Sequence, residues 1–230
     1  MKTLLLPGLD GTGALFGPFL RELDPALGPT VISYPLDAVA LPAIELPRGE
    51  PFALLAESYS GAAALQVAAA QPSGLVAVVL VASFVSSPLR WLPSGLVRPW
   101  LLGPMARSRM LNRRQLLDAP APPDLVDFVT ETIAQVPPAT LAARVRRVLT
   151  LDARDALAAC KAPLLYLQAS RDRIVSERSV NEIRAGRPDV VVERIDGPHL
   201  LLQCNPSAGA RAVERFLEPC KKIDPSGAGC

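Results

Sequence analysis

Few residues in this chain could do chemistry on one another, and a serine, an aspartate and a histidine among them fall in an informative order. Ser58 sits in Ala56-Glu57-Ser58-Tyr59-Ser60-Gly61, between the apolar run Phe52 to Ala56 and the helix-forming stretch Gly61 to Ala70, which Gln71-Pro72 closes. Small residues two places either side of a serine form the G-x-S-x-G nucleophile elbow, here with Ala56 and Ser60 in place of both glycines. Bulky side chains at those places would clash in so sharp a turn. The helix that follows aims its unpaired amides at the space above Ser58, where negative charge would develop. The chemistry implied is nucleophilic: the hydroxyl needs a base, and the base needs a carboxylate to orient it.

The chain has one histidine, His199, in the loop Asp196-Gly-Pro-His199 behind the last predicted strand. Asp172, directly after the predicted strand Leu164 to Ala169, is placed to serve it. Asp152 and Asp155 are rivals but fall late in an inserted region, and Asp196 is too near His199 in sequence to be its obvious partner. Each residue also has a plainer reading. Small-x-Ser-x-small occurs often by chance, a lone histidine is commonly structural, and Asp172 suits a helix cap or a pair with Arg171 or Arg173. The chemical reading is favoured because all three positions follow predicted strands, where sites lie in an open α/β sheet.

Positioning these residues takes alternating strands and helices. Thr3 to Leu6 is a short apolar strand, followed by the glycine-rich loop Leu9 to Pro18 and a helix over Phe19 to Leu23. The loop fails as a dinucleotide fingerprint, since Phe16 stands at the third glycine position, and no lysine makes it a Walker loop. Thr30 to Tyr34 is the next strand, and the proline-rich segment Leu36 to Glu50 is expected to lack regular structure. Leu75 to Ala82 is apolar throughout, as in a strand buried on both faces. Between Ser86 and Ala159 recurrent prolines mark off helices at Leu96 to Leu102, Met105 to Leu117, Pro123 to Gln135 and Pro138 to Leu149. This stretch reads as a helical lid. Trp91, Trp100, Leu101, Leu102, Met105, Met110 and Leu111 are available to line a pocket, with the arginines on a solvated outer face. Val190 to Ile195 is a strand, Ser179 to Ala185 and Pro206 to Leu217 are helices, and Pro219 to Cys230 has the composition of a disordered end. The domain reading is therefore a core of 1–85 and 160–218, a lid of 86–159 and a tail of 219–230.

Composition narrows the function. The 230 residues suit one domain with an insertion, and a net charge of +2 calls for no nucleic acid. No apolar run is long enough to span a membrane; the first six residues faintly resemble a signal peptide but are cut short by Pro7 and Asp10. Four cysteines without C-x-x-C spacing and a single histidine argue against zinc. A cytoplasmic protein is expected, with no stable membrane insertion.

The motifs resemble the α/β-hydrolase superfamily over roughly residues 3 to 218, especially bacterial esterase- and lipase-like members. The resemblance is carried by Leu5-Leu-Pro-Gly-Leu-Asp-Gly-Thr-Gly13, by the elbow Ala56 to Gly61 and by Pro198-His-Leu-Leu-Gln203, and the order Ser58, Asp172, His199 is that of the superfamily. The first β-hairpin of that fold is absent, so the resemblance implies a shortened, mostly parallel, doubly wound sheet of about six strands with a helical lid insertion. It implies Leu9 and Tyr59 as donors of two oxyanion-hole amides, although Pro7-Gly8 stands where His-Gly is usual. It further implies a carboxylesterase-type serine hydrolase using an acyl-enzyme, with no cofactor and no metal, acting on small esters of short to medium acyl chain. Trp100, Leu101, Met105 and Met110 are the candidate substrate contacts. An acyltransferase or thioesterase would use the same three residues, and a binding protein could keep the fold without the chemistry.

Overall fold

The computed structural model describes residues 1–38 and 43–222. Six strands, β1 (Lys2–Leu6), β2 (Pro29–Val31), β3 (Phe52–Glu57), β4 (Leu75–Val81), β5 (Leu164–Ala169) and β6 (Val191–Ile195), form one sheet in the order β2-β1-β3-β4-β5-β6. Every pairing is parallel. The six-strand expectation holds.

Alternation along the strands builds two cores. The row Leu5, Leu55, Val79 and Leu165 runs across the sheet in register. It belongs to a cluster with Phe19 of α1 (Gly17–Leu20) and with Leu202, Val213 and Leu217 of α9 (Leu201–Cys204) and α10 (Pro206–Leu217). The next residues back, Leu4, Leu54, Val78 and Leu164, face the opposite cluster. There they meet Leu65 of α2 (Gly61–Ala69), Leu157 of α7 (Arg154–Ala159) and Ile183 of α8 (Glu177–Gly186). Leu54, Leu55, Val78 and Val79 are wholly buried, which is why β3 and β4 read as unbroken apolar runs.

Between β4 and β5 lie α3 (Pro99–Ala106), α4 (Arg109–Asn112), a π-helical turn at Arg113–Leu117, α5 (Pro123–Ala134) and α6 (Pro138–Leu149). Two boundaries differ from expectation. Pro99 opens α3 at its first turn, where its missing N–H costs nothing, so the helix begins there and not at Leu96. Ser108 accepts a bond from the Leu111 N–H and caps a new helix, so Met105 to Leu117 is broken and not continuous. The insertion closes at a bridge between Ser86 and Asp152, with the Ala153 N–H on the Val85 carbonyl at 2.7 Å. α7 packs with the core through Leu157.

Smaller departures have local causes. The last ladder bond of β2 runs from the Ile32 N–H to the Leu5 carbonyl; beyond it the Tyr34 N–H turns to the Gly11 carbonyl, which ends the pairing. Pro219–Lys222, expected in a disordered end, is a 3-10 turn that sinks Cys220 into the core beside α10. The remainder of that tail lies outside the described residues, as does part of Leu36 to Glu50, whose described portion has no helix or strand. Among the described residues no helix is long and apolar enough to cross a membrane.

Candidate active site

Ser58 is the first residue past β3 and has φ 49, a left-handed conformation that a side chain adopts only under constraint. The constraint comes from both flanks. Ala56 and Ser60 are wholly buried, and the Ser58 carbonyl accepts the Ser83 hydroxyl at 2.8 Å. A Cβ on Gly61 would lie 1.8 Å from Ser83 Oγ, so only glycine lets α2 start this close to the end of β4. Ser60, the other hydroxyl of the elbow, donates to the Pro7 carbonyl and meets Tyr34 Oη at 2.6 Å. Burial pushes the Tyr34 phenol up to about 12, so it stays a neutral hydrogen-bonding group there.

His199, behind β6, is brought to Ser58 with Nε2 3.0 Å from Oγ. Its Nδ1 lies 2.8 Å from Asp172 Oδ2. The other carboxylate oxygen of Asp172 accepts the Ile174 and Val175 amides, each at 2.8 Å, so the group is fixed before the histidine arrives. The plainer reading of Asp172 as a cap is thus also true, and it is what aims the carboxylate. Burial by itself would lower the His199 pKa. The Asp172 carboxylate and its hydrogen bond outweigh that, with help from Glu57, and leave the imidazole above its ordinary value. The rivals are engaged elsewhere: Asp152 is exposed and held by Arg154, and Asp196 by Ser170 and Arg171. Asp155 is exposed on α7.

A cavity of about 270 Å³ opens above these residues. Ser58, Tyr59, His199, Gly8 and Leu9 form its floor, and Leu102, Met105, Leu111, Leu141 and Val148 are among the apolar residues of the insertion that line it. Of the four expected contacts only Met105 lines it. Trp100 and Met110 are 74% and 73% exposed, and Leu101 also faces out. Leu102 and Met105, three apart on α3, share one side and reach the cavity, Met105 from its edge, being also 44% exposed, while Trp100 faces out on the other side.

Two residues of the site were not legible in the sequence. Arg144 of α6, which belongs to a run of arginines expected on a solvated face, is 1% exposed. Its guanidinium donates to the carbonyls of Leu9 and Asp10 at 2.9 Å, of Pro35 at 2.9 Å and of Ala38 at 2.9 and 3.1 Å. It ties the insertion to the loop after β1. In that loop the Gly8 carbonyl accepts the Gly11 amide, and peptide planarity aims the Leu9 N–H the opposite way. Helical spacing gave one clue, since Leu141 and Val148 on the cavity side flank Arg144 at i−3 and i+4. Replacing Arg144 with methionine should strand several buried carbonyls at about 1–3 kcal/mol each. Urea unfolding should show the loss, and an unchanged midpoint would mean that the clasp holds nothing.

Glu57, next to the serine, is 2% exposed and lines the cavity. Gln203 Nε2 reaches its Oε2 at 3.3 Å, but Glu57 Oε1 and Gln203 Oε1 have no partner among the described residues. A proton on the carboxyl turns one of these bare acceptors into a donor, and desolvation pushes the Glu57 pKa up to about 7 from 4.5. The folded chain thus holds this proton more tightly than the unfolded one. Stability contributed below pH 4.5 should be lost as pH rises through 7, by about 3 kcal/mol. Glu57→Gln should flatten that slope in urea melts run from pH 5 to 8; an unaltered slope would assign the loss to another group.

These elements and their order define an α/β-hydrolase fold, with Ser58 in the strained turn between β3 and α2. The sequence matches the alpha/beta hydrolase family over residues 4–213, and the chain belongs to that family. A comparison with curated proteins gives no significant match. Among solved structures it is similar to the enol-lactonase from Burkholderia xenovorans LB400, at TM-score 0.78 and 15% identity over 94% of this chain and 91% of that one. A thermophilic esterase from Thermogutta terrifontis superposes at TM-score 0.75 with 17% identity over 96% and 91%. A lipase-esterase related protein from Clostridium acetobutylicum ATCC 824 does so at 0.74 with 14% identity over 94% and 93%. At these identities the likeness is one of fold.

Proposed function

We propose that the chain is a serine hydrolase of neutral carboxylic esters with short to medium acyl chains. The observation that carries this reading is the hydrogen-bonded line Ser58, His199, Asp172 at the floor of an apolar cavity. His199 Nε2 takes the Ser58 proton as Oγ attacks the ester carbonyl, and Asp172 holds the imidazole in the required tautomer. The amides of Leu9 and Tyr59 stabilise the tetrahedral oxyanion. The alcohol leaves with the proton from His199, and water activated by the same imidazole then releases the acid and restores Ser58. No step calls for a cofactor or metal. The base must be neutral, and its pKa lies above the ordinary histidine value, so activity should rise with pH on the alkaline side of 6.5. The insertion acts as the lid, its apolar inner wall excluding water and holding the acyl chain.

A series of p-nitrophenyl esters from acetate to palmitate tests the reading. Each methylene that enters the cavity should raise kcat/KM about fourfold, the equivalent of about 0.8 kcal/mol, until the cavity is full. A flat profile, or turnover of charged substrates alone, would remove the apolar acyl site. Turnover of acyl-CoA with an alcohol acceptor in preference to water would make the chain an acyltransferase on the same residues.

A further inference from the structure

The outer side of the insertion has a composition unlike the rest of the chain. From Ser86 to Leu117 there is no aspartate, glutamate or lysine, yet six arginines, at 90, 98, 107, 109, 113 and 114, and both tryptophans of the protein. All six arginines are exposed, and among the described residues only Arg109 forms an ion pair, with Asp127. Arg98 and Arg107 donate to the nearby carbonyls of Gly95 and Gly103, which holds their stems along the surface with charge left over. Trp91 is 76% exposed, Trp100 74%, Met110 73% and Leu96 53%. Side chains of this size are rarely left in water together without a use.

The patch borders the cavity. Pro88 and Leu89 line the cavity just before Arg90 and Trp91, Leu102 just after Trp100 and Leu101, and Leu111 just after Met110. Along α3, Trp100, Leu101, Pro104 and Met105 fall at i, i+1, i+4 and i+5 and make one outer strip. Met105 belongs to both surfaces, being 44% exposed and also a lining residue.

We propose that this face docks on the surface of an anionic phospholipid bilayer, peripherally and without spanning it. The fit is one of chemistry. Indole rings seat at the level of the headgroups with apolar side chains beneath them, and arginines at the same level meet the lipid phosphates. The segment that carries the patch, Ser86 to Leu117, has no carboxylate of its own, as a negatively charged surface requires. An acidic protein would satisfy the arginines but gives no reason for two indoles and a thioether to stand out singly into water. Docking in this pose would set the cavity mouth against the lipid phase, so apolar esters dissolved in the membrane would reach Ser58 without crossing water. The docking does not depend on the hydrolase reading, since binding needs none of Ser58, His199 or Asp172.

Both tryptophans lie in the patch, so intrinsic fluorescence reports on it directly. Wild-type protein and Ser58→Ala should both show a blue-shifted emission, and both should float, with vesicles of phosphatidylglycerol mixed with phosphatidylcholine. Neither should do so with phosphatidylcholine alone, and added salt should weaken the binding. Each arginine is worth about fivefold in affinity at such a surface, so Arg98→Glu with Arg107→Glu should cost at least about 25-fold. The same double variant should hydrolyse a soluble short ester as wild type does, which verifies its fold. Trp91→Ser with Trp100→Ser should abolish flotation. Absence of shift and flotation with anionic vesicles would overturn the proposal, as would equal binding to neutral ones or undiminished binding by the charge-reversed variant. Loss of ester hydrolysis in Ser58→Ala with docking intact would separate this inference from the catalytic one.

Discussion

Ser58→Ala is expected to reduce ester hydrolysis by a factor on the order of 10⁶ while leaving the fold intact. The expected size follows from how such residues work: nucleophile and base act as one unit, so removing either costs about as much as removing both. The substitution deletes one oxygen at a site where the backbone is already held in place. Ser83 still binds the residue-58 carbonyl and Gly61 still abuts Ser83, so the turn has no reason to relax. A small alanine at φ 49 keeps the strain of the elbow without relieving it. Stability should therefore change little, and urea midpoints of the two proteins can be compared directly. A fluorophosphonate probe should label wild type and leave the variant unlabelled. Continued labelling would direct attention to another serine. Ser60 is a poor substitute, because its hydroxyl is buried and committed to Pro7 and Tyr34.

The second large effect is expected at Asp172. Asp172→Asn preserves size and can still accept the Ile174 and Val175 amides through its one carbonyl oxygen. The amide NH₂ is then left facing His199 Nδ1 in place of Oδ2. A donor there requires Nδ1 to be unprotonated, which places the proton on Nε2 and leaves no base for the Ser58 hydroxyl. kcat should fall on the order of 10⁴, with KM little altered since Asp172 does not line the cavity. The sole histidine supplies a second readout. Its pKa, now raised chiefly against burial by the Asp172 carboxylate, should drop in the variant when followed by NMR. Asp152→Asn and Asp155→Asn should be nearly neutral, since both side chains are exposed. If either of those were inactive while Asp172→Asn retained activity, the orienting carboxylate would have to be reassigned.

The sheet and the residues on the floor of the site were legible in local patterns of the chain. Wholly buried strands need unbroken apolar runs, so Phe52 to Ala56 and Leu75 to Ala82 were visible as such. Strained turns admit few residue types, and the small residues around Ser58 therefore marked the elbow. With one histidine in the chain, the candidate base needed no choice, and Asp172 followed from its place behind a strand. These are local signals, written over five or ten residues.

The walls and the supports depend on contacts between distant parts of the chain. Within a few residues of Arg144 only the helical spacing of Leu141 and Val148 distinguishes it from Arg146 and Arg147. Its burial depends on carbonyls more than a hundred positions away, at Leu9, Asp10, Pro35 and Ala38. Glu57 is set in the cavity wall because Gln203 of α9 closes over it, again from the far end of the chain. The apolar residues of α3 and α4 were equally suited by type to a pocket or a surface. The packing of α3 on α6, at Gly103 against Pro138, turned Leu102 and Met105 inward and left Trp100 and Leu101 outside. Composition along a helix states how much apolar surface it has, but the facing partner selects which side is covered.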